Sequence, residues 1–273
     1  MMSTEQIMQL ALKLSGFRTI PQDSAIYVKG KRIKKILFGI DAGVPELLLG
    51  RQLRCDAVVA HHPQGGSAML GFYKVFERHV EQMVEAGVPK IEAMQAVRRK
   101  RDLLQVENHT RNYAHAVSVA RLMKMPYMNI HAPLDEIGRQ RMSMQVKLAT
   151  DGKPRATVGD VVASLRKLPE FRKAQTEIMV GPGKSSSKAG KVVVSHAAGT
   201  NGGYEVARAY FKHGVGTLLY IHVSPSDLDR LRADCVGNLI VTGHISSDSV
   251  GINPFLSELE NKGIDVIPIG VVA

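Results

Sequence analysis

Two adjacent imidazoles, His61 and His62, close the short apolar run Cys55-Asp-Ala-Val-Val-Ala-His-His-Pro63. Tandem histidines at the end of a buried strand are a potential clamp for a divalent metal. The pattern recurs: apolar segments run into histidine at Tyr127-Met-Asn-Ile-His131, Val192-Val-Val-Ser-His196, Leu218-Leu-Tyr-Ile-His222 and Leu239-Ile-Val-Thr-Gly-His244. In open α/β sheets ligands bind outside the carboxyl ends of the strands, so histidines placed there can converge on one crevice. Two of them carry an acid four residues on, His131-Ala-Pro-Leu-Asp135 and His244-Ile-Ser-Ser-Asp248. If the chain coils after each histidine, each aspartate turns back toward the strand end. Neutral imidazole and carboxylate are donors for Zn, Mn, Fe and similar divalent ions, and with His61 and His62 the set is large enough for two. A lone strand-end histidine is more often a hydrogen-bonded core residue; the combination is what points to metal.

The elements that must position these residues follow from periodicity. Thr4 to Gly16 carries Ile7, Leu10, Ala11 and Leu14 at helical spacing, with Gly16 as the stop. Tyr27 to Arg32 reads as a basic hairpin-like stretch, Lys34 to Asp41 as a buried strand, Val44 to Arg54 as a helix, and Asp56 to Ala60 as the next strand. That alternation is the pattern of a parallel α/β sheet. Tyr73 to Met123 is helical in character, broken at Gly87-Val-Pro89 and near Asn108, and is long enough to reach outward for oligomer contacts. Met142 to Leu148 reads as a strand and Thr157 to Leu165 as a helix, with Thr157 and Asp160 at its start in a capping-box arrangement. The last third alternates again: strand Lys191 to Ser195, helix Tyr204 to His213, strand Thr217 to Val223, helix Asp227 to Asp234, strand Leu239 to Val241, helix Pro254 to Lys262 and strand Asp265 to Ile269. The fold class is α/β, two lobes of mixed or parallel sheet flanked by helices, divided as residues 1–131 and 132–273 with interleaving allowed.

Composition narrows the function classes. The chain has 273 residues, no tryptophan and few aromatics, so its core rests on aliphatic side chains and methionine. No apolar stretch approaches the roughly 20 residues that span a bilayer, and Met1-Met-Ser-Thr-Glu-Gln lacks the features of a secretory signal, so the expected location is cytoplasmic and no membrane partner is expected. Cys55 and Cys235 are too few for a disulfide framework or a Cys-type zinc site, in keeping with a reducing compartment. The formal charge of +11 favours anionic partners without naming one. Its sharpest cluster, Arg98-Arg-Lys-Arg101, reads first as a solvated helix face or subunit contact; a nucleic-acid patch is the alternative, without the aromatic interleaving that would support it.

Two glycine-rich stretches invite a phosphate reading. Gly181-Pro-Gly-Lys-Ser185 lacks the first glycine of a P-loop, since Ile178 stands at that position, and a strand rather than a helix follows. It reads as a surface turn. Gly199-Thr-Asn-Gly-Gly203 sits between a strand and a helix, where backbone amides can cradle an anion, and tight chain reversal explains the glycines equally well.

In order along the chain, Ile36-Leu-Phe-Gly-Ile-Asp41, Asp56-Ala-Val-Val-Ala-His-His-Pro63, His131-Ala-Pro-Leu-Asp135 and Thr242-Gly-His-Ile-Ser-Ser-Asp248 resemble the Nif-three-like dinuclear-metal family, often labelled type 2 GTP cyclohydrolase I. The resemblance spans nearly the whole chain. It implies that His61, His62, Asp135, His244 and Asp248 bind two divalent ions, with His131 as a further ligand or supporting residue, in a hexameric ring whose metal sites face an internal cavity. Three differences stand out: the late acid is Asp248 where the family usually has glutamate, the helical region between Gly71 and Met123 is longer, and the large central insertion of some members is absent.

The function these readings predict is metal-assisted hydrolysis of a nucleotide, phosphoester or related heterocycle through a metal-bound hydroxide, with His196 or His222 assisting as acid or base. The expected substrate is a small, anionic molecule. The alternatives are a non-catalytic metal-binding scaffold or regulatory protein, and a nucleic-acid-associated ring.

Overall fold

The computed structural model describes residues 1–273. The chain begins α1 (Thr4–Ser15), β1 (Ala25–Val28), β2 (Lys35–Gly39), α2 (Val44–Gln52), β3 (Ala57–Ala60), α3 (Gly66–Leu70), α4 (Phe72–Val75), α5 (Arg78–Glu85), α6 (Lys90–Thr110), α7 (His115–Leu122) and β4 (Tyr127–Asn129). It continues through α8 (Ala132–Thr150), α9 (Val158–Leu165), α10 (Pro169–Lys173), β5 (Met179–Val180), β6 (Lys191–Val194), α11 (Gly203–Lys212) and β7 (Val215–Tyr220). The last elements are α12 (Pro225–Asp234), β8 (Asn238–Val241), α13 (His244–Asn261) and β9 (Asp265–Ile269). No helix is long and apolar enough to cross a membrane.

The elements form two compact units that interleave in sequence. The first takes Met1–Val75, Leu104–Ile137 and Gly251–Val271; the second takes Phe76–Leu103, Gly138–Val250 and Val272–Ala273.

The first unit holds a five-stranded sheet of order β1-β4-β3-β2-β9, parallel except for β1. Its central strands β2 and β3 are apolar and buried on both faces, which is why they read as continuous runs rather than alternations. One face is covered by α1 and the end of α13, whose Ile7, Leu12, Phe255 and Leu259 join Phe38 in a core cluster; Phe38 and Phe255 pack with ring centroids 6.4 Å apart. Ser3 and Gln6 form a capping box at the start of α1, and Gly16 ends it in the left-handed conformation. The basic hairpin expected over Tyr27 to Arg32 does not form: β1 pairs antiparallel with β4, about a hundred residues downstream.

The second unit holds a four-stranded sheet of order β5-β8-β7-β6, with β6, β7 and β8 parallel and the short β5 antiparallel at the edge. Its core joins Leu219 and Ile240 to Val158, Val161 and Leu165 of α9, and Thr157 and Asp160 make the expected capping box. Met142 to Leu148 is helix within α8, not strand. Its apparent alternation is overridden because Met142, Val146 and Ala149, at helical spacing, are the buried residues, while Met144 and Leu148 face solvent.

The final helix also starts ten residues before the predicted Pro254. The serines that read as loop bond back into the coil: Ser246, Ser247 and Ser249 donate to the carbonyls of Thr242, Gly243 and Ile245. Pro254 deprives the Val250 carbonyl of its helical donor. Arg141 supplies one instead, Nη1 lying 2.5 Å from that oxygen and 3.0 Å from the buried Glu170 carboxylate.

Candidate metal centre

In the first unit, parallel pairing of β2, β3 and β4 brings their carboxyl ends together. His61 and His62 continue the register, donating their backbone N–H groups to the carbonyls of Gly39 and Ile40, while Ile130 donates to Ala60. His61 is fully buried and His131 nearly so. Ring centroids of His61 lie 5.0 Å from His62 and 4.8 Å from His131. One ligand-type atom from each of the three imidazoles fits within a span of 4.8 Å.

Each ring has its Nδ1 engaged by an oxygen that can only accept. His61 Nδ1 lies 3.0 Å from the Ile130 carbonyl, His62 Nδ1 2.7 Å from Asp41 Oδ1, and His131 Nδ1 2.8 Å from Asp23 Oδ2. A carbonyl or carboxylate oxygen requires a proton on the facing nitrogen, so each Nδ1 donates and each neutral ring carries its lone pair on Nε2. Two of those nitrogens face Asp135, whose carboxylate oxygens lie 3.2 Å from His61 Nε2 and 3.7 Å from His131 Nε2. Asp135 reaches them because α8 starts immediately after His131, returning the acid one turn later.

Two opposed effects act on the His131 charge. Burial disfavours its charge, but the carboxylates of Asp135 and Asp23 outweigh burial and raise its pKa above the ordinary value. Asp23 is itself fully buried, and the neighbouring Ser24 hydroxyl accepts from the His131 backbone N–H.

The second unit repeats the plan. Carboxyl ends of the parallel β6, β7 and β8 carry His196, His222 and His244. His244 opens α13, and Asp248 one turn on places Oδ2 3.4 Å from His244 Nε2, with Asp248 buried. His222 stacks obliquely on His244, centroids 4.6 Å apart. Burial, His244 and Lys100 together hold the His222 pKa down to about 4. His196 is also buried, and its carbonyl accepts from Gln82. Beside His222 and His244 lies a cleft of about 520 Å³ with apolar walls from Ile221, Val223, Leu228 and Val241 and a rim of Glu177, Asp229 and Arg232.

The glycine-rich turn of residues 199–203 is braced from one side. Carbonyls of Thr200 and Asn201 accept from His79 and Lys100, and the Gly203 N–H that would begin an anion cradle is taken by Asn201 Oδ1. The basic cluster on α6 is correspondingly divided: Lys100 turns into this turn, whereas Arg98 and Arg101 pair with Asp102 at the surface. Gly181-Pro-Gly-Lys-Ser185 is a loop between β5 and β6, with no helix following.

A crystal structure of a NIF3 superfamily protein from Sphaerobacter thermophilus matches with a TM-score of 0.97 and 49% sequence identity, covering 98% of each chain. The chain belongs to the NIF3 superfamily. The fold recurs in reduced HcgD from Methanocaldococcus jannaschii, with a TM-score of 0.61 at 12% identity over 98% of this chain and 97% of that one. It recurs also in YbgI, a protein of unknown function, with a TM-score of 0.54 at 16% identity over 98% of each chain. No family model and no curated protein matches the sequence.

Within this NIF3-family chain the donor set fits a divalent ion. Three clustered imidazoles, each braced through Nδ1 and two of them facing the Asp135 carboxylate through Nε2, are held as metal-ligating histidines usually are. Reading strand ends singled out His61, His62, Asp135, His244 and Asp248 as candidates. It missed Asp23, which sits in a turn between elements, as well as His79, Lys100 and Asn201; their roles come from contacts across many residues and leave no local pattern.

Proposed function

We propose that this chain is a divalent-metal-dependent hydrolase, with His61, His62, Asp135, His244 and Asp248 as ligands of two ions such as Zn, Mn or Fe and His131 as a further ligand beside them. The observation that carries the reading is the common tautomer of His61, His62 and His131, each donating through Nδ1 so that Nε2 is left to bind. Extending the set to His244 and Asp248, and to two ions, rests on the order of the motifs along the chain. Two bound divalent ions would lower the pKa of a water and polarise the bond it attacks. His61 and His131 present Nε2 from a dry environment, Asp41 and Asp23 orient the rings of His62 and His131, and Asp135 contributes the negative charge that favours a cation.

The proposed substrate is a small nucleotide, phosphoester or related heterocycle. The cleft beside His222 and His244 supports a small molecule, since its volume lies within the usual range for such ligands. The acidic Glu177 and Asp229 on its rim outnumber Arg232, so an anionic group would be engaged by the metals and the cleft would take an uncharged part. The net charge of +11 acts at longer range, raising the local concentration of anions. A homo-oligomer, in the hexameric form implied by the family resemblance, belongs to the same proposal. Exposed Ile91, Met94 and Leu103 on α6 support it, and light scattering reads the assembly mass.

The test is metal analysis of the purified protein, followed by a hydrolysis screen of nucleotides and phosphoesters with wild type and His61→Ala. Turnover that needs both metal and His61 supports the enzyme. Tightly bound metal without turnover on any substrate transfers the reading to a metal-binding scaffold. A salt-sensitive nucleic-acid complex that survives His61→Ala favours the ring that binds nucleic acid.

A further inference from the structure

His222 differs from the imidazoles of the first unit in which nitrogen it offers. Its Nδ1 lies 3.0 Å from Asn201 Nδ2. The direction of that bond depends on which way the Asn201 amide points, and two donors decide it. Lys100 Nζ lies 2.9 Å and the Gly203 backbone N–H 3.0 Å from the other end of the amide, so that end is the oxygen. Lys100 Nζ also lies 2.7 Å from the Asn201 carbonyl, gripping the residue at two points. The amide nitrogen therefore faces His222 and donates to Nδ1, and in the neutral ring the proton sits on Nε2. Thr200 Oγ1, 3.5 Å away, is a long and easily exchanged partner for that proton.

We propose that Lys100 and Asn201 are positioning residues that hold His222 as an Nε2–H donor, which gives its hydrogen bond to an oxygen of the bound substrate beside His244. This assignment rests on the hydrolase reading and replaces the acid or base role expected for His222. A ring protonated on Nε2 with Nδ1 occupied has no lone pair to give a metal, and it has no accessible basic nitrogen. What it does have is a preoriented donor on a ring that lines the cleft, the kind of group that stabilises negative charge developing on oxygen.

The experiment uses full-length protein labelled with 15N-histidine, whose two-bond proton–nitrogen correlations report which ring nitrogen is protonated; the His222 signals are assigned by their loss in His222→Gln. Metal-free wild type is expected to show Nε2 protonated and Nδ1 bare. Asn201→Asp, which keeps the oxygen for Lys100 and Gly203 but presents an acceptor to the ring, is expected to move the proton to Nδ1. Lys100→Met, which frees the amide to turn, is expected to give a mixture of tautomers. Zinc affinity measured by chelator competition is expected to stay within about threefold of wild type in His222→Gln. With a hydrolysed substrate, kcat is expected to fall about 100-fold in His222→Ala and less in His222→Gln, whose amide can still donate. A wild-type ring protonated on Nδ1, or a zinc affinity that falls in His222→Gln as far as in His244→Ala, overturns the proposal. Absence of turnover on every substrate sinks the hydrolase reading and the donor role with it, while the nitrogen spectra still decide whether Lys100 and Asn201 set the tautomer.

Discussion

Asp23 is the sharpest place to perturb the centre, because it belongs to no ligand motif and yet holds a ring that faces one. Its Oδ2 accepts from His131 Nδ1 at 2.8 Å, and it is fully buried, so no water can replace it. Replacing the outer partner of a metal-ligating histidine costs about 10–100-fold in affinity, or about 1.4–2.7 kcal/mol at roughly 1.4 kcal/mol per tenfold. Asp23→Asn removes the charge but keeps an oxygen facing the ring, which places it near the lower end. Asp23→Ala leaves the Nδ1 proton in an apolar gap and belongs near the upper end. Asp41 makes the same kind of bond to His62 at 2.7 Å, but its side chain is 73% exposed, so water and salt screen it and Asp41→Asn is expected to cost less than either. Competition for zinc against a colorimetric chelator, on metal-stripped proteins first checked for equal thermal stability, reads all three. Wild-type affinity in Asp23→Ala, or a larger loss in Asp41→Asn than in Asp23→Ala, refutes the reasoning.

The raised pKa of His131 gives a pH dependence of definite sign. Because the folded value lies above the ordinary 6.5, the metal-free protein has this group's stability contribution in full below that value and loses it as pH rises through the folded pKa. Metal requires the neutral ring, so zinc affinity should weaken as pH falls through the same raised value, starting at a higher pH than for an ordinary histidine; a flat affinity from pH 8 to 6 contradicts this. Arg141→Met removes both the substitute donor at Val250 and the cation beside buried Glu170. Urea unfolding should show a loss on the order of 3 kcal/mol, and a loss within error of zero would mean that neither contact matters. Thr157→Ala breaks the capping box of α9 and should cost about 1 kcal/mol in the same assay, the effect vanishing if α9 is held by packing alone.

Much of this molecule was legible where one physical rule dominates. The runs at β2, β3, β7 and β8 are short and largely apolar, and parallel sheets bury such strands on both faces; β6, at the sheet edge, is only half-buried but keeps the same aliphatic run. The two HxxxD motifs were legible for a similar reason: a helix starting at a strand end returns its fourth residue to the histidine, as α8 and α13 do. Local rules failed where a distant partner decides. Ser-Ser-Asp-Ser and Gly251 before Pro254 look like a loop, but the serines bond back into the coil and an arginine from α8 serves the carbonyl that Pro254 leaves open. Met142 to Leu148 satisfies both a strand and a helix pattern, and the packing of α8 selects the second. Lys100 stood in a basic run that reads as solvated, yet its ammonium group is committed to Asn201.

The most direct test of the central claim is X-ray absorption spectroscopy of the zinc-loaded protein. Zinc held by these side chains gives a first shell of nitrogen and oxygen at about 2.0–2.2 Å with the outer scattering of imidazole, diminished in His61→Ala and without a sulfur contribution. A shell of water oxygens alone, unchanged by His61→Ala, would contradict it.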